Sequence, residues 1–487
     1  MLLGLDIGTT NVKALVTDFA GCQLSEGSCA VRLFPMGNGG VEQDIEEIWS
    51  ATRTAVRDAV RSVDVSGIKS VGVSSQGGAL QMLDAQGMPL GRVISWLDQR
   101  GAPFDEALDA ELGQPWFAQR LGRGRAGLAI GQLLRLRQEN SGLLASSNRI
   151  GFVGDVIVSR LCGRPAHDGT SCSLTLLYNP GRRDYDPDLL RRLGVTHGQL
   201  PDLLTARETA GGLLPSFALE TGLRPGIPVS AAVHDQYTAA LAAGAVRGGT
   251  VMVGTGTAWV LLAISASLRA PATPNAFVCH HVVEGLWGQI LSLVNGGSTL
   301  AWALELTGHN RAGGDEIDRL LESAPPGSDG LRCWPFLTAS GVAGLGHEAK
   351  GRFSGLQLSH RPGHIVRAVL EGLAFELKRH IDLLHDAGLP IERLVLSGSA
   401  AASRVTPQML AAVTELPLAC VGNRAGSPLG AVIIARGLCE PATSLAALAE
   451  EMAPATSRIE PGPDVPLYQQ QFKEYLRSLP LLEANSP

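Results

Sequence analysis

Two stretches of this chain share one grammar, and together they constrain the fold more than anything else in it. In the first, apolar runs at 2–5 and 12–16 flank Asp6-Ile7-Gly8-Thr9-Thr10-Asn11. In the second, Thr250-Val251-Met252-Val253 leads through Gly254-Thr255-Gly256-Thr257 into another apolar run. Short apolar runs around a tip of small residues read as β-hairpins. At the first tip Asp6 can hold a metal ion or its waters, and Gly8 lets a ligand approach the backbone. Thr9, Thr10, Asn11 and Lys13 can donate to phosphate oxygens. An ordinary hairpin turn uses the same residue types, so one copy decides little. Two copies suggest two related α/β domains that face one another, with a nucleotide's phosphates between them. Neither tip is a Gly-x-x-x-x-Gly-Lys-Ser/Thr loop or a Gly-x-Gly-x-x-Gly fingerprint, which sets aside P-loop and dinucleotide folds.

The formal net charge of −6 argues against a nucleic-acid partner or a polybasic membrane contact. No apolar run reaches the roughly 18 residues of a membrane span. The opening strand carries no basic segment or cleavage site, so a cytoplasmic location is expected. The 8 cysteines form no Cys-x-x-Cys pair, which signals neither a zinc site nor a disulfide framework. Cys279-His280-His281 would place neighbouring side chains on opposite faces of a strand, so no metal site is expected there.

Between the hairpins, Asp44 reads as a helix N-cap with Glu47 completing a capping box. Residues 68–75 read as a buried strand running into Gln76-Gly77-Gly78. Trp96-Leu97-Asp98-Gln99-Arg100 ends an apolar run. It could bind and cover a polyhydroxylated ligand, or be a solvated Asp98–Arg100 pair over a packed Trp. Residues 102–225 read mainly as helices and loops, with a turn at 201–204. A strand at 227–233 stops at His234-Asp235-Gln236 before an alanine-rich helix, where Asp235 suits a general base or an N-cap. Asn295-Gly296-Gly297-Ser298 opens a helix, and residues 308–330 read as a surface excursion. Residues 364–384 carry one apolar helical face, with Arg367 and Glu371 as a structural ion pair on its flank. A strand at 393–396 enters the small-residue turn Ser397-Gly398-Ser399-Ala400, and a buried helix begins near Gly426. Residues 468–479 read as a packing helix.

In order and spacing these parts resemble one family, the FGGY carbohydrate kinases, with the actin-like (ribonuclease H-like) ATPase fold. The resemblance covers about residues 2–440. It rests on Asp6-Ile7-Gly8-Thr9-Thr10 with Lys13, on Trp96-Leu97-Asp98-Gln99-Arg100, on His234-Asp235-Gln236 and on Gly254-Thr255-Gly256-Thr257. It rests further on Gly351-Arg352-Phe353-Ser354-Gly355-Leu356 with the helix after it, and on the turn from Ser397. The resemblance implies two α/β domains, 1–246 and 247–440, around a catalytic cleft, with a helical tail, 441–487, packed on the second. It implies ATP and Mg²⁺. Asp235 would be the general base and Asp6 would position the metal. Thr9, Thr10, Asn11, Lys13, Gly254, Thr255 and Thr257 would bind phosphates, and Gly297, Gly398 and Ser399 would line the nucleotide. Gln76, Gly77, Asp98, Arg100 and His234 would surround a small sugar or polyol.

Departures from the family pattern bear on the substrate. Xylulose-type members usually carry Met-His where this chain has Gly77-Gly78, which predicts an enlarged or reshaped pocket. Gly78→His is then expected to shift preference toward xylulose. His234 replaces the usual Gly before the catalytic Asp. A usual Lys-x-x-Trp reads Ala129-Ile130-Gly131-Gln132 here. Gly344-Leu345-Gly346-His347-Glu348 stands where Gly-Glu-Arg-x-Pro is frequent. A kinase of a ketopentose such as xylulose is the leading expectation. A glycerol or tetritol kinase, a non-catalytic sugar or nucleotide sensor, and a phosphatase or hydrolase are the alternatives, and a homodimer stays open.

Overall fold

Each half of the chain builds the same five-strand order. The computed structural model describes residues 1–338, 350–422 and 426–479. In the first half lie β1 (Leu2–Ile7), β2 (Asn11–Thr17), β3 (Gln23–Ala30), α1 (Ile45–Val60), β4 (Val71–Ser75), β5 (Pro228–His234) and α2 (Asp235–Ala242). The second half contributes β6 (Thr250–Thr255), β7 (Trp259–Ser265), β8 (Trp287–Ser292), α3 (Gly297–Leu306), α4 (Pro362–Asp386), β9 (Arg393–Gly398) and β10 (Leu418–Val421). Two further helices follow, α5 (Ser427–Cys439) and α6 (Val465–Arg477).

The first sheet runs β3-β2-β1-β4-β5 and the second β8-β7-β6-β9-β10. In each, three antiparallel strands from one hairpin meander adjoin two parallel strands. This is the ribonuclease H-like arrangement of actin-type ATPases, present twice with a cleft between the copies. β1 reads as an almost unbroken apolar run because both its faces are covered. Leu3, Leu5 and Ile7 join the core that contains Ile48 and Val56 of α1. Leu2 joins the other core with Val432 and Ile433 of α5.

The helix α5 lies backbone to backbone against both the first sheet and α2. A Cβ on Gly4 of β1 would overlap the Pro428 carbonyl oxygen, and one on Gly72 of β4 the Ala431 carbonyl oxygen. On its other flank, a Cβ on Gly430 would overlap the carbonyl of Thr238 in α2. Backbone therefore lies against backbone at three points, and Ser70 adds a hydrogen bond to the Ala435 carbonyl at 2.7 Å. The resulting core holds the ends of β1, β4 and β5 still.

Several local expectations change. Asp44 caps α1 through the Glu46 amide, but Glu47 does not close a capping box, because its carboxylate is drawn to Arg32. Residues 102–225 contain short strands, including Ala166–Asp168 and Asp202–Leu204, which extend the first sheet beyond β5. Strands of three residues are too short to show periodicity, so the second of them looks like a turn in sequence. The 308–330 excursion carries a helix, Gly314–Glu322. The segment after 440 is not only helical. Leu445–Met452 packs with α2 and α5, Thr456–Ile459 adds an edge strand beside β10, and α6 packs on the second domain's core. The Arg367–Glu371 pair is buried rather than on a flank. Tyr468 of α6 donates to Glu371 at 3.1 Å, and Glu371 also accepts from the Gly327 amide and the Ser328 hydroxyl. Among the described residues no helix is long and apolar enough to cross a membrane.

Gly430→Ala should cost about 2–3 kcal/mol, since it forces one backbone off another. By thermal unfolding this corresponds to a midpoint lowered by about 5 °C or more. Gly313→Ala, where a Cβ meets nothing within 4 Å, should stay within about 0.5 kcal/mol of the parent.

Candidate active site

Three parallel strands end side by side at the cleft. Asp6 of β1 lies opposite Ser74 of β4, and Ser75 lies opposite His234 of β5. Ligands bind outside the carboxyl ends of such strands, where the loops open. Asp235 is the first residue of α2, with His234 at the N-cap position, so Asp235 is not the cap. Ser74 Oγ lies 3.0 Å from Asp6 Oδ1 and 2.9 Å from Thr238 Oγ1, with one proton to give to either. Thr238 donates to the Asp235 carbonyl at 2.9 Å, and Ser427 at the start of α5 donates to the same carbonyl at 3.1 Å.

The two carboxyls feel one another. Desolvation first, and the Asp235 charge second, push the Asp6 carboxyl up to about 7. Desolvation pushes Asp235 up to about 6 against hydrogen bonds from Gln236. Lys13 stands opposite Asp6 in the β1–β2 register and offsets part of the charge. Thr10 and Asn11, at the exposed tip, hydrogen-bond one another at 3.3 Å.

The second hairpin reaches the same place. Gln236 Oε1 lies 3.9 Å from where a Cβ on Gly254 would sit. Gly254 and Thr255 pair with Ser397 and Gly398 across β6 and β9. The Thr255 hydroxyl donates to the Ser397 carbonyl at 2.7 Å and accepts from the Ala400 amide at 3.2 Å, and Ser399 lies beside it. The structure thus joins Gly254, Thr255, Gly398 and Ser399. Gly297 is adjacent, but its amide donates to the Gly256 carbonyl at 3.0 Å, and the Ser298 amide donates to the Thr257 carbonyl.

On the first domain's side, Gln76 is buried and holds Thr9 and Gln43. The segment 96–100 is not a solvated Asp98–Arg100 pair over a packed Trp. Trp96 is 43% exposed and donates through its indole to Thr9 Oγ1 at 3.0 Å. Asp98 has no exposed side-chain surface. It takes the Val41 and Arg100 amides, the Arg100 guanidinium and the Gln132 amide. Burial opposes its ionisation, yet the Arg100 and Val41 hydrogen bonds together hold its carboxyl below the usual range. Arg100 also binds Glu42 at 2.9 Å. Asp98 and Arg100 are locked to each other and to the strand Val41–Gln43, and the Trp beside them is the exposed member.

The space next to Gly77-Gly78 is filled rather than enlarged. A Cβ on Gly77 would stand 2.8 Å from His234 Cδ2 and 2.7 Å from Leu174 Cβ. Gly78 has φ of +74°, and a Cβ there would lie 2.9 Å from the Leu174 carbonyl oxygen. The backbone therefore opposes Gly78→His, which strains this loop instead of restoring a family side chain. His234 is buried, its Nε2 is 3.5 Å from Asp235 Oδ1, and its Nδ1 has no hydrogen-bond partner among the described residues. Burial pushes its imidazole down to about 3, so it faces Asp235 as a neutral ring. The segment 344–348 lies outside the described residues.

Ser74, Thr238, Gln43, Gln236 and Ser427 escape sequence reading. Ser74 and Thr238 sit inside apolar elements with no motif around them. Gln236 was legible only as the neighbour of Asp235.

The sequence matches the N-terminal domain of the FGGY family of carbohydrate kinases over residues 1–242 and that family's C-terminal domain over residues 249–436. It is similar to a xylulose kinase of Escherichia coli K12, 28% identical over 485 residues and 98% of each chain. A glycerol kinase of Gloeobacter violaceus is 30% identical over 441 residues, 86% of this chain and 84% of that one. The solved structure of a xylulose kinase from Rhodospirillum rubrum has a TM-score of 0.89 at 26% identity, covering 98% of this chain and 97% of its own.

Asp98→Ala leaves Arg100 and several buried donors unmatched. It should destabilise the protein by about 3 kcal/mol, seen as a lowered thermal midpoint with no ligand present. An unchanged midpoint would mean that Asp98 does not lock this loop.

Proposed function

The chain belongs to the FGGY family of carbohydrate kinases and is an ATP-dependent sugar phosphotransferase, and we propose that it phosphorylates a ketopentose, xylulose first among them. One observation carries the site assignment: Asp6, Asp235 and both Gly/Thr hairpins converge on one cleft. The xylulose kinases among its relatives, by sequence and by structure, support the choice of sugar.

In this reading the Asp235 carboxylate accepts the proton of the attacking sugar hydroxyl. The hydroxyl oxygen bonds to the γ-phosphorus while the bond to the β-phosphate oxygen breaks, and ADP leaves. Phosphoryl transfer has a loose transition state, so positioning and charge neutralisation supply most of the catalysis. Thr10, Asn11, Lys13, Gly254 and Thr257 offer donors or open backbone to the phosphates. Thr9 and Thr255 have their hydroxyl protons committed to protein oxygens, so they serve through backbone and shape. Gly297, Gly398 and Ser399 would lie along the nucleotide. Gln76, Gly77, Trp96 and His234 would surround the sugar, with Asp98 and Arg100 holding that wall in place. Asp6 and Asp235 form a pair of part-buried carboxylates whose mutual repulsion a divalent cation relieves, so the donor set fits Mg²⁺. A Mg²⁺ held through Asp6 would neutralise phosphate charge. The domain division we propose is 1–246, 247–440 and the segment beyond, and we place the enzyme in the cytoplasm.

The experiment is ADP release with Mg-ATP across ketoses, alditols, aldonates and glycerol, against a blank without sugar. D-xylulose should give the highest kcat/KM, and preference for a polyol would reject the ketopentose reading. Asp235→Asn should lower kcat by about two orders of magnitude or more, while ATP-analogue affinity stays within a few-fold. A variant with near-parental turnover would reject Asp235 as the base.

A further inference from the structure

Gln43 belongs to none of the motifs above, yet it is fully buried and both ends of its amide are engaged. Its Nε2 donates to the Thr9 carbonyl at 2.9 Å. Its Oε1 accepts from Gln76 Nε2 at 3.1 Å. Gln76 Oε1 accepts from the Thr9 hydroxyl at 3.0 Å, and that hydroxyl oxygen accepts from the Trp96 indole at 3.0 Å. Elementary chemistry forces every direction in this circuit. A carbonyl can only accept, so Gln43 must turn its NH₂ to Thr9. Its oxygen then faces Gln76, which must turn its own NH₂ to Gln43. The Gln76 oxygen is left for the one proton of Thr9, and an indole can only donate. The result is one directed chain, from Trp96 through the Thr9 hydroxyl, Gln76 and Gln43, back to the Thr9 backbone.

Its two ends differ in function. In the sugar-kinase reading Gln76 and Trp96 border the sugar, while Thr9 lies next to Gly8 at the tip of the first hairpin. We propose that Gln43 is a positioning residue that couples occupancy of the sugar site to the geometry of this hairpin. The proposal rests on the sugar-kinase reading above. A sugar hydroxyl that displaces or completes a hydrogen bond at Gln76 or Trp96 changes the partners of a chain ending on the hairpin's backbone. Phosphates then find their donors aligned when the sugar is present and misaligned when it is absent, which holds back wasteful hydrolysis. Coupling of this kind is reciprocal, so sugar and nucleotide tighten one another by the same factor.

The test is calorimetric binding of Mg–AMP-PNP to the full chain, with and without saturating D-xylulose. In the parent protein, D-xylulose should tighten the nucleotide by roughly fivefold or more. Gln43→Met keeps the shape but neither hydrogen bond, and should bring that ratio close to 1 while each ligand still binds alone. Its sugar-independent ADP release should rise relative to the stimulated rate, which a merely structural loss would not produce. If Gln43→Met does not fold, Trp96→Phe cuts the other end of the chain at an exposed position and should lower the ratio as well. A parental ratio of 1, or a parental ratio retained in both variants, overturns the coupling. Absence of D-xylulose-dependent ADP release in the parent overturns the sugar reading, and this inference with it.

Discussion

Everything at the cleft depends on the seating of α5 against the first sheet. This helix begins within the C-terminal family match, but its backbone touches β1 and β4 at Gly4 and Gly72, and α2 at Gly430. Side chains at those positions would hold the layers apart. Without them, the strand that carries Asp6 and the helix that starts with Asp235 rest on the same rigid body. Ser427 at the head of α5 then reaches the Asp235 carbonyl. Packed interiors transmit small displacements instead of absorbing them. The segments that carry the two carboxylates are thus held by main chain, with Ser74 against the Asp6 carboxylate and Thr238 on the Asp235 backbone carbonyl.

That rigidity makes the electrostatics useful. Burial raises the proton affinity of both carboxyls, and the Asp235 charge raises that of Asp6 further. In the proposed reading a cation would satisfy Asp6 and a hydroxyl proton would satisfy Asp235. Neutral His234 adds no charge of its own beside Asp235, so it leaves the base's strength to desolvation and to Gln236. Had the imidazole been cationic, it would have weakened that base.

The twice-built fold was legible because its signal is local. Each hairpin announces itself through apolar runs and a tip of small residues, and the long helix through a face repeating over many turns. The polar residues at the tips and strand ends were legible for the same reason. Interactions between segments distant in sequence left no mark. The Asp98–Arg100 spacing looks alike whether the pair meets solvent or, as here, Val41, Glu42 and Gln132. Strands of three residues are too short for any period, and Glu47 misleads because Arg32 competes for it. Gln43 is the extreme case: its function lies in partners at Thr9 and Gln76, and its own neighbourhood in sequence reads only as a helix start.

Read alone, Gly77-Gly78 deletes two large side chains and should open the pocket. Beside it, the small residue usual before the catalytic Asp has become a histidine. In three dimensions these departures meet, because the His234 ring occupies the space a Gly77 side chain would need. A glycine in one loop and an imidazole on the neighbouring strand are therefore one exchange of volume across the cleft wall. The exchange puts an imidazole at the strand end beside Asp235.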